Sequence, residues 1–192
     1  MLFRSLDRSG SMSSLWSEAI GSINAYVEKL PKETQVYMSV FDNEYDVIRQ
    51  SNAGSWKPIN NDEVSPRGMT ALFDASARIM QRAIDDNAEK TVIVVMTDGE
   101  ENSSRHFRQT DVKQLVAKLD SKKWEIVFLG ANFDAVDSVS GGLGLVGSKS
   151  MNIAAGNLMR GFDTLSTYTQ AYATTGASIN FTQDDKTMAV TK

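Results

Sequence analysis

The fold of this chain follows from Thr91-Val92-Ile93-Val94-Val95-Met96-Thr97-Asp98, a continuous β-branched apolar run that ends in a carboxylate. A strand with apolar residues on both faces is typical of the centre of a mainly parallel sheet that helices cover on both sides. Gly99 follows immediately and ends the strand. Asp98 therefore lies at the carboxyl end of a central strand, the edge at which open α/β sheets bind ligands.

The segments on either side of this strand alternate between helical and strand patterns. Apolar residues at helical spacing predict helices within residues 16–30, 72–84, 110–119, 134–139 and 158–173. Apolar runs bounded by turn residues predict strands before Asp7 and over 34–41, 124–129 and 150–153. A polar turn joins 34–41 to a further strand over 45–49, which predicts an antiparallel hairpin. The order indicates a three-layer α/β sandwich: a mainly parallel central sheet, one antiparallel edge strand and helices on both faces.

Length and composition predict one globular domain. The 192 residues are 41% hydrophobic and 23% charged, and no linker divides them. We assign residues 1–192 to a single domain whose core covers about 2–175, and we assign no structure to the polar tail 176–192. Arg4 and Ser5 are unexpected in the first strand, because a buried strand should be apolar at these positions.

Charge and cysteine content exclude several classes of protein. A net charge of −4 without a basic cluster argues against nucleic-acid binding. The chain has no apolar run of transmembrane length, and Arg4 interrupts the N-terminal apolar residues too early for a signal peptide. The absence of cysteine rules out disulfides and thiolate metal sites. We therefore expect a soluble cytoplasmic protein that binds neither nucleic acid nor a membrane.

Oxygen-bearing side chains lie in three loops at the same predicted edge of the sheet. Asp7, Ser9 and Ser11 alternate after the first strand, and alternate side chains of an extended segment point the same way. They can converge with Thr70, which precedes a helix, and with Asp98. Hard oxygen ligands favour Mg²⁺, with Mn²⁺ or Ca²⁺ as alternatives, whereas zinc favours His or Cys. Only two of these five ligands are charged, so an acidic group of a partner could fill an open coordination position.

Three motifs, in order along the chain, resemble the von Willebrand factor A domain family: Leu6-Asp7-Arg8-Ser9-Gly10-Ser11-Met12, Gly68-Met69-Thr70-Ala71-Leu72 and Val95-Met96-Thr97-Asp98-Gly99-Glu100. They match D-x-S-x-S…T…D, the metal-ion-dependent adhesion site of that family. The resemblance implies a Rossmann-like sheet with a divalent ion at its top, held by Asp7, Ser9, Ser11, Thr70 and Asp98. It also implies a protein ligand that contributes an Asp or Glu. The chain resembles the cytoplasmic bacterial or phage type of this family, whose role as adaptor or assembly modules implies that it has no enzymatic activity.

Three other interpretations remain open. In the first, the serines after the first strand cap a helix and bind no metal, with Ser11 or Ser13 as the N-cap. His106 suggests a Ser-His-Asp hydrolase, and a Mg²⁺-dependent phosphatase also fits such a sheet, but the chain lacks a G-x-S-x-G elbow and a second acid two residues after Asp7. The third is a metal-free structural module that associates with itself.

Overall fold

A computed structural model describes residues 1–120, 124–133 and 136–191. Its centre is a six-stranded sheet with the strand order β3-β2-β1-β4-β5-β6. The strands are β1 (Leu2–Asp7), β2 (Gln35–Phe41), β3 (Tyr45–Asn52), β4 (Val92–Thr97), β5 (Glu125–Ala131) and β6 (Ser150–Ile153). Every neighbouring pair is parallel except β2 and β3, which are antiparallel. The predicted sheet with one antiparallel edge strand is confirmed.

Helices cover both faces of this sheet, as the alternating order predicts. They are α1 (Trp16–Glu28), α2 (Leu72–Asp86), α3 (Gln109–Asp120), α4 (Val136–Gly142), α5 (Leu158–Thr175) and α6 (Gln183–Val190). Buried residues of α1, α5 and α6 pack on one face of the sheet, and those of α2, α3 and α4 pack on the other. The predicted helix over 134–139 corresponds to α4, although residues 134 and 135 lie outside the described part. None of the helices in the described ranges has the length and apolar character needed to cross a membrane.

The central strand β4 is buried on both faces. Val92, Val94 and Met96 belong to the core on one side, and Ile93 and Val95 belong to the core on the other. This arrangement explains why the strand is continuously apolar and does not alternate with polar residues.

Arg4 is accommodated in β1 by two aromatic rings. Its side chain is 2% exposed, and its guanidinium carbon lies 4.3 Å from the ring centroid of Tyr26 and 4.5 Å from that of Phe162. Burial lowers the pKa of Arg4 to about 10, so the group remains charged at neutral pH. Neither terminal nitrogen has a hydrogen-bond partner in the described residues. Cation–π contacts from α1 and α5 thus take the place of hydrogen bonds.

The polar tail forms the last helix of the domain. Gly176 ends α5 in the left-handed conformation, with φ of 76°. Thr182 then begins α6 with a capping box in which its hydroxyl accepts from the Asp185 N–H. Ile179 and Phe181 are buried in the same core as β6. Residues 176–191 therefore complete the cover of the sheet at the β6 edge.

The predicted N-cap of the first helix is wrong. Helix α1 begins at Trp16 with Leu15 as N-cap, and no side chain caps it. Residues Gly10–Ser14 instead form a 3₁₀ turn, closed by the hydrogen bond from the Leu15 N–H to the Met12 carbonyl. The serine hydroxyls of this turn are consequently not used for capping α1.

Candidate metal centre

Asp7 ends β1 with a fully buried carboxylate that two strands hold in place. Its Oδ1 accepts from the Ser9 N–H at 2.7 Å, and its Oδ2 accepts from the hydroxyl of Thr97 at 2.6 Å. Thr97 is the last residue of the neighbouring strand β4. The carboxylate is therefore fixed where the two central strands end.

Three oxygen atoms meet directly beside this carboxylate. The Ser11 hydroxyl donates to Asp98 Oδ1 at 2.8 Å, and the Ser9 hydroxyl lies 3.0 Å from Ser11 Oγ and 3.5 Å from Asp98 Oδ1. Neighbouring ligands of an octahedral Mg²⁺ are about 3 Å apart, because each lies about 2.1 Å from the ion. The spacing and the oxygen chemistry of this cluster fit that ion.

Thr70 lies against the loop that carries Asp98. Its backbone is tied to Asn102, which accepts from the Thr70 N–H at 2.8 Å and donates its own N–H to the Thr70 carbonyl at 3.0 Å. The Thr70 side chain is buried, and its hydroxyl would lie 3.9 Å from a Cβ placed on Gly99. The structure therefore brings all five predicted residues to one edge of the sheet: Asp7, Ser9, Ser11 and Asp98 are linked directly by hydrogen bonds, and Thr70 lies against the residue after Asp98.

The surroundings of Asp7 and Asp98 disfavour the charged form of both carboxyl groups. Burial raises the pKa of Asp7 to about 6, and the charge of Asp98 adds to the rise. The hydrogen bonds from Thr97 and Ser9 lower this pKa, but they do not outweigh burial. Burial likewise raises the pKa of Asp98, against hydrogen bonds from the serines. In the described part of the chain no lysine or arginine forms an ion pair with either carboxylate. A divalent cation would supply the missing positive charge.

The cluster differs from metal sites rich in histidine or carboxylate. Across residues 1–120, 124–133 and 136–191, no group of three or more His, Cys, Asp or Glu side chains could hold a metal. The candidate site contains two carboxylates and three hydroxyls, so most of its ligands are neutral.

Ion pairs that the sequence patterns did not predict join the loops of the candidate site. Asp42 follows β2 and accepts from Arg8 Nε at 3.1 Å and Arg67 Nε at 2.7 Å. The Arg67 N–H also donates to the Arg8 carbonyl at 2.6 Å, and the Gly10 N–H donates to the Gly68 carbonyl at 3.2 Å. The loop after β1 is thus bound to the segment before Thr70. The sequence signal that could have indicated this role is the position of Asp42 directly after β2, the strand beside β1.

Two further carboxylates, Asp74 and Glu101, organise the loop between β4 and α3. Asp74 accepts the backbone N–H groups of Arg105, His106 and Phe107 at 2.8 to 3.0 Å. Glu101 accepts backbone N–H groups within its own loop, and it also accepts from the first turn of α2 at 2.8 Å. The loop that carries Asp98 is thereby fastened to the helix that follows Thr70.

We expect Asp74→Ala to lower the free energy of unfolding by about 2 kcal/mol at pH 7, because three backbone N–H groups lose their acceptor. Burial alone would raise the pKa of Asp74, but the N–H groups of Arg105, Phe107 and His106 outweigh it and lower the pKa. A carboxylate with a lowered pKa stabilises the fold above its unfolded pKa, and this contribution is lost as pH falls through the folded pKa. The difference from wild type in urea unfolding should therefore be larger at pH 7 than at pH 3. Asp85→Ala, an exposed position in the same helix, is the matched control, and an equal loss at both pH values would contradict the role of the charge.

Comparison with known proteins identifies the family. The family model described as the von Willebrand factor type A domain matches residues 5–181. The chain belongs to the von Willebrand factor type A (VWA) domain family. The match includes Asp7, Ser9, Ser11, Thr70 and Asp98, and it extends into the tail that precedes α6. A comparison with curated proteins found no match.

Solved structures share the fold of this VWA domain at low sequence identity. Proximal thread matrix protein 1 from the mussel byssus is 17% identical with a TM-score of 0.65, over 86% of this chain and 44% of that chain. The von Willebrand factor type A protein from Catenulispora acidiphila is 14% identical with a TM-score of 0.65, over 88% of this chain and 42% of that one. The vWF domain of the type V pili tip protein Mfa5 from Porphyromonas gingivalis is 10% identical with a TM-score of 0.66, over 95% of this chain and 97% of that one. The chain thus spans less than half of the first two proteins.

Proposed function

We propose that this VWA domain binds a protein ligand through a divalent cation held by Asp7, Ser9, Ser11, Thr70 and Asp98, as a metal-ion-dependent adhesion site. The observation that carries the proposal is the cluster of Ser9, Ser11 and Asp98 oxygens, which lie 2.8 to 3.5 Å apart beside the buried Asp7 carboxylate. Mg²⁺ is the ion we expect, with Mn²⁺ or Ca²⁺ as alternatives.

The exposure of the ligands indicates where a partner would approach. Ser9 is 3% exposed and Asp7 is fully buried, whereas Ser11 is exposed to solvent. The bound ion would present an open coordination position to a carboxylate of the partner. Asp7 and Asp98 would offset the charge of the ion, and the 3₁₀ turn would hold the serine hydroxyls in position.

An adhesive role fits better than a catalytic one. Within the described residues, the serine hydroxyls contact each other and Asp98, and neither contacts His106. The backbone of His106 is bound to Asp74, which belongs to α2. Two of the similar structures are those of a byssus matrix protein and a pili tip protein, which supports a role in protein interaction.

Calorimetric titration of Mg²⁺ or Mn²⁺ tests the site directly. We expect Asp98→Ala to abolish binding, and Ser11→Ala to weaken it about tenfold or more. Ser13→Ala is the matched control, because Ser13 lies in the same turn and its hydroxyl donates to the Gly10 carbonyl. Mg²⁺ should also raise the melting temperature of the wild type, since the ion binds only the folded protein. Equal affinities in Ser11→Ala and Ser13→Ala, or no binding to the wild type, would refute the proposal.

A further inference from the structure

A polar pocket of about 340 Å³ opens beside the candidate metal site. Its walls are the tip of the β2–β3 hairpin, the first turns of α2 and the loop between β4 and α3. Ala71, in this wall, directly follows the proposed ligand Thr70. The pocket and the metal site therefore share one short segment of backbone.

The acidic groups of this pocket already have donors. Asp74 accepts three backbone N–H groups from the β4–α3 loop. Glu44 accepts from Arg67 at 2.7 Å, and Asp46 accepts from Arg8 at 2.5 Å. Arg67 and Arg8 thus offset the charges of Glu44 and Asp46, and three backbone N–H groups offset the charge of Asp74.

The basic groups of the pocket, by contrast, have no acidic partner. In the described residues, the guanidinium groups of Arg78 and Arg105 form no ion pair and no side-chain hydrogen bond, although Arg78 lies 5.9 Å over the ring of Tyr45. The Asn43 side chain accepts from the Met69 N–H through its oxygen, which leaves its amide N–H groups as donors. Two arginines without a carboxylate partner, beside free amide donors, are suited to bind an oxyanion.

We infer that this pocket binds the carboxylate of a second acidic residue in the protein ligand. The inference rests on the proposed function, because the first acidic residue is the one that the metal ion binds. Ala71 lines the pocket and directly follows Thr70, and neighbouring Cα atoms are about 3.8 Å apart. The wall of the pocket therefore begins next to the proposed ligand Thr70. Alternate side chains of an extended peptide point the same way about 6.6 Å apart. An acid-x-acid segment is the shortest extended peptide that could present two carboxylates to this side of the domain, and it is the form of ligand that we propose.

Two synthetic peptides test this inference by NMR titration of the isotope-labelled full chain with and without Mg²⁺. They are acetyl-Gly-Asp-Gly-Glu-Gly-amide and the same peptide with Gln in place of Glu. With Mg²⁺ present, we expect the Glu peptide to bind about three- to tenfold more tightly than the Gln peptide, the range of one or two exposed ion pairs. The double variant Arg78→Gln/Arg105→Gln should lose this difference while keeping the Mg²⁺ affinity of the wild type. Arg82→Gln is the matched control, because Arg82 lies one turn further along α2 and pairs with Asp86.

The outcomes separate the two proposals. Equal affinity for the two peptides, or a difference that persists in the double variant, would overturn the pocket and leave the metal site intact. Binding of Mg²⁺ with no binding of either peptide would overturn both the carboxylate bridge and the pocket. A peptide with phosphoserine in place of Glu provides a further arm: much tighter binding of that peptide would assign the pocket to phosphate and overturn the carboxylate assignment.

Discussion

Asp42→Ala should lower the free energy of unfolding by about 3 to 5 kcal/mol, which is the usual cost of removing one partner of a buried ion pair. Asp42 is 2% exposed, and its Oδ2 accepts from Arg8 Nε at 3.1 Å and from Arg67 Nε at 2.7 Å. Its Oδ1 also accepts the Glu44 N–H at 2.7 Å. The Arg8 side chain is only 8% exposed, so the variant would leave its charge largely buried, with the half-exposed Asp46 as its remaining partner. This change removes the acceptor of the Glu44 N–H and one of the links between two loops of the candidate metal site.

Urea unfolding followed by circular dichroism measures this loss. Asp46→Ala is the matched control, because Asp46 also binds Arg8 but is 49% exposed. An exposed ion pair contributes about 1 kcal/mol or less, so the control should remain close to wild type. If the two variants lost similar amounts of stability, the buried position of Asp42 would not be the cause.

Phe181→Ala should lower the free energy of unfolding by a comparable amount, about 3 to 5 kcal/mol. Phe181 is 4% exposed, and its ring packs edge-on against that of Tyr168, with centroids 5.8 Å apart. Its N–H donates to the Ser148 carbonyl at 2.8 Å, which ties the segment to the residues before β6. The truncated side chain would leave a cavity between α5, α6 and the sheet, which the surrounding backbone can fill only in part.

Thermal and urea unfolding of Phe181→Ala test whether the last residues belong to the cooperative core. Val190→Ala, at a 44% exposed position in the final helix, should change the free energy of unfolding by no more than about 0.5 kcal/mol. Equal stability of the wild type and Phe181→Ala would mean that residues 176–191 can detach without disturbing the sheet.

The site residues were accessible to sequence reasoning because each has a local signal. Asp7 and Asp98 directly follow predicted strands, and parallel strands place their carboxyl ends together, so convergence follows from fold class. The capping role of Ser11 and Ser13 was predicted wrongly because capping depends on where the helix starts. A 3₁₀ turn moved that start to Trp16. Periodicity locates a helix within a few residues but does not fix its first turn.

The network around the site depended on distant partners. Asp42 and Arg8 are 34 residues apart, and Asp74 binds a loop more than 30 residues further along the chain. Each is a charged residue beside a turn, and such residues are common on protein surfaces. Their burial is decided by the strands and helices that pack over them.

The sequence by itself determined the type and order of the strands and helices from β1 to α5, the antiparallel edge and the five residues at the edge of the sheet. These features follow from hydrophobic periodicity and from turn residues, which act between near neighbours in the chain. The tertiary structure alone decided that Arg4 is held between Tyr26 and Phe162, that Phe181 closes the core beside β6, and that Asp42 joins Arg8 to Arg67. The physical reason is the same in each case: a buried charge or ring is stabilised by groups distant in sequence, and only the folded chain brings them together.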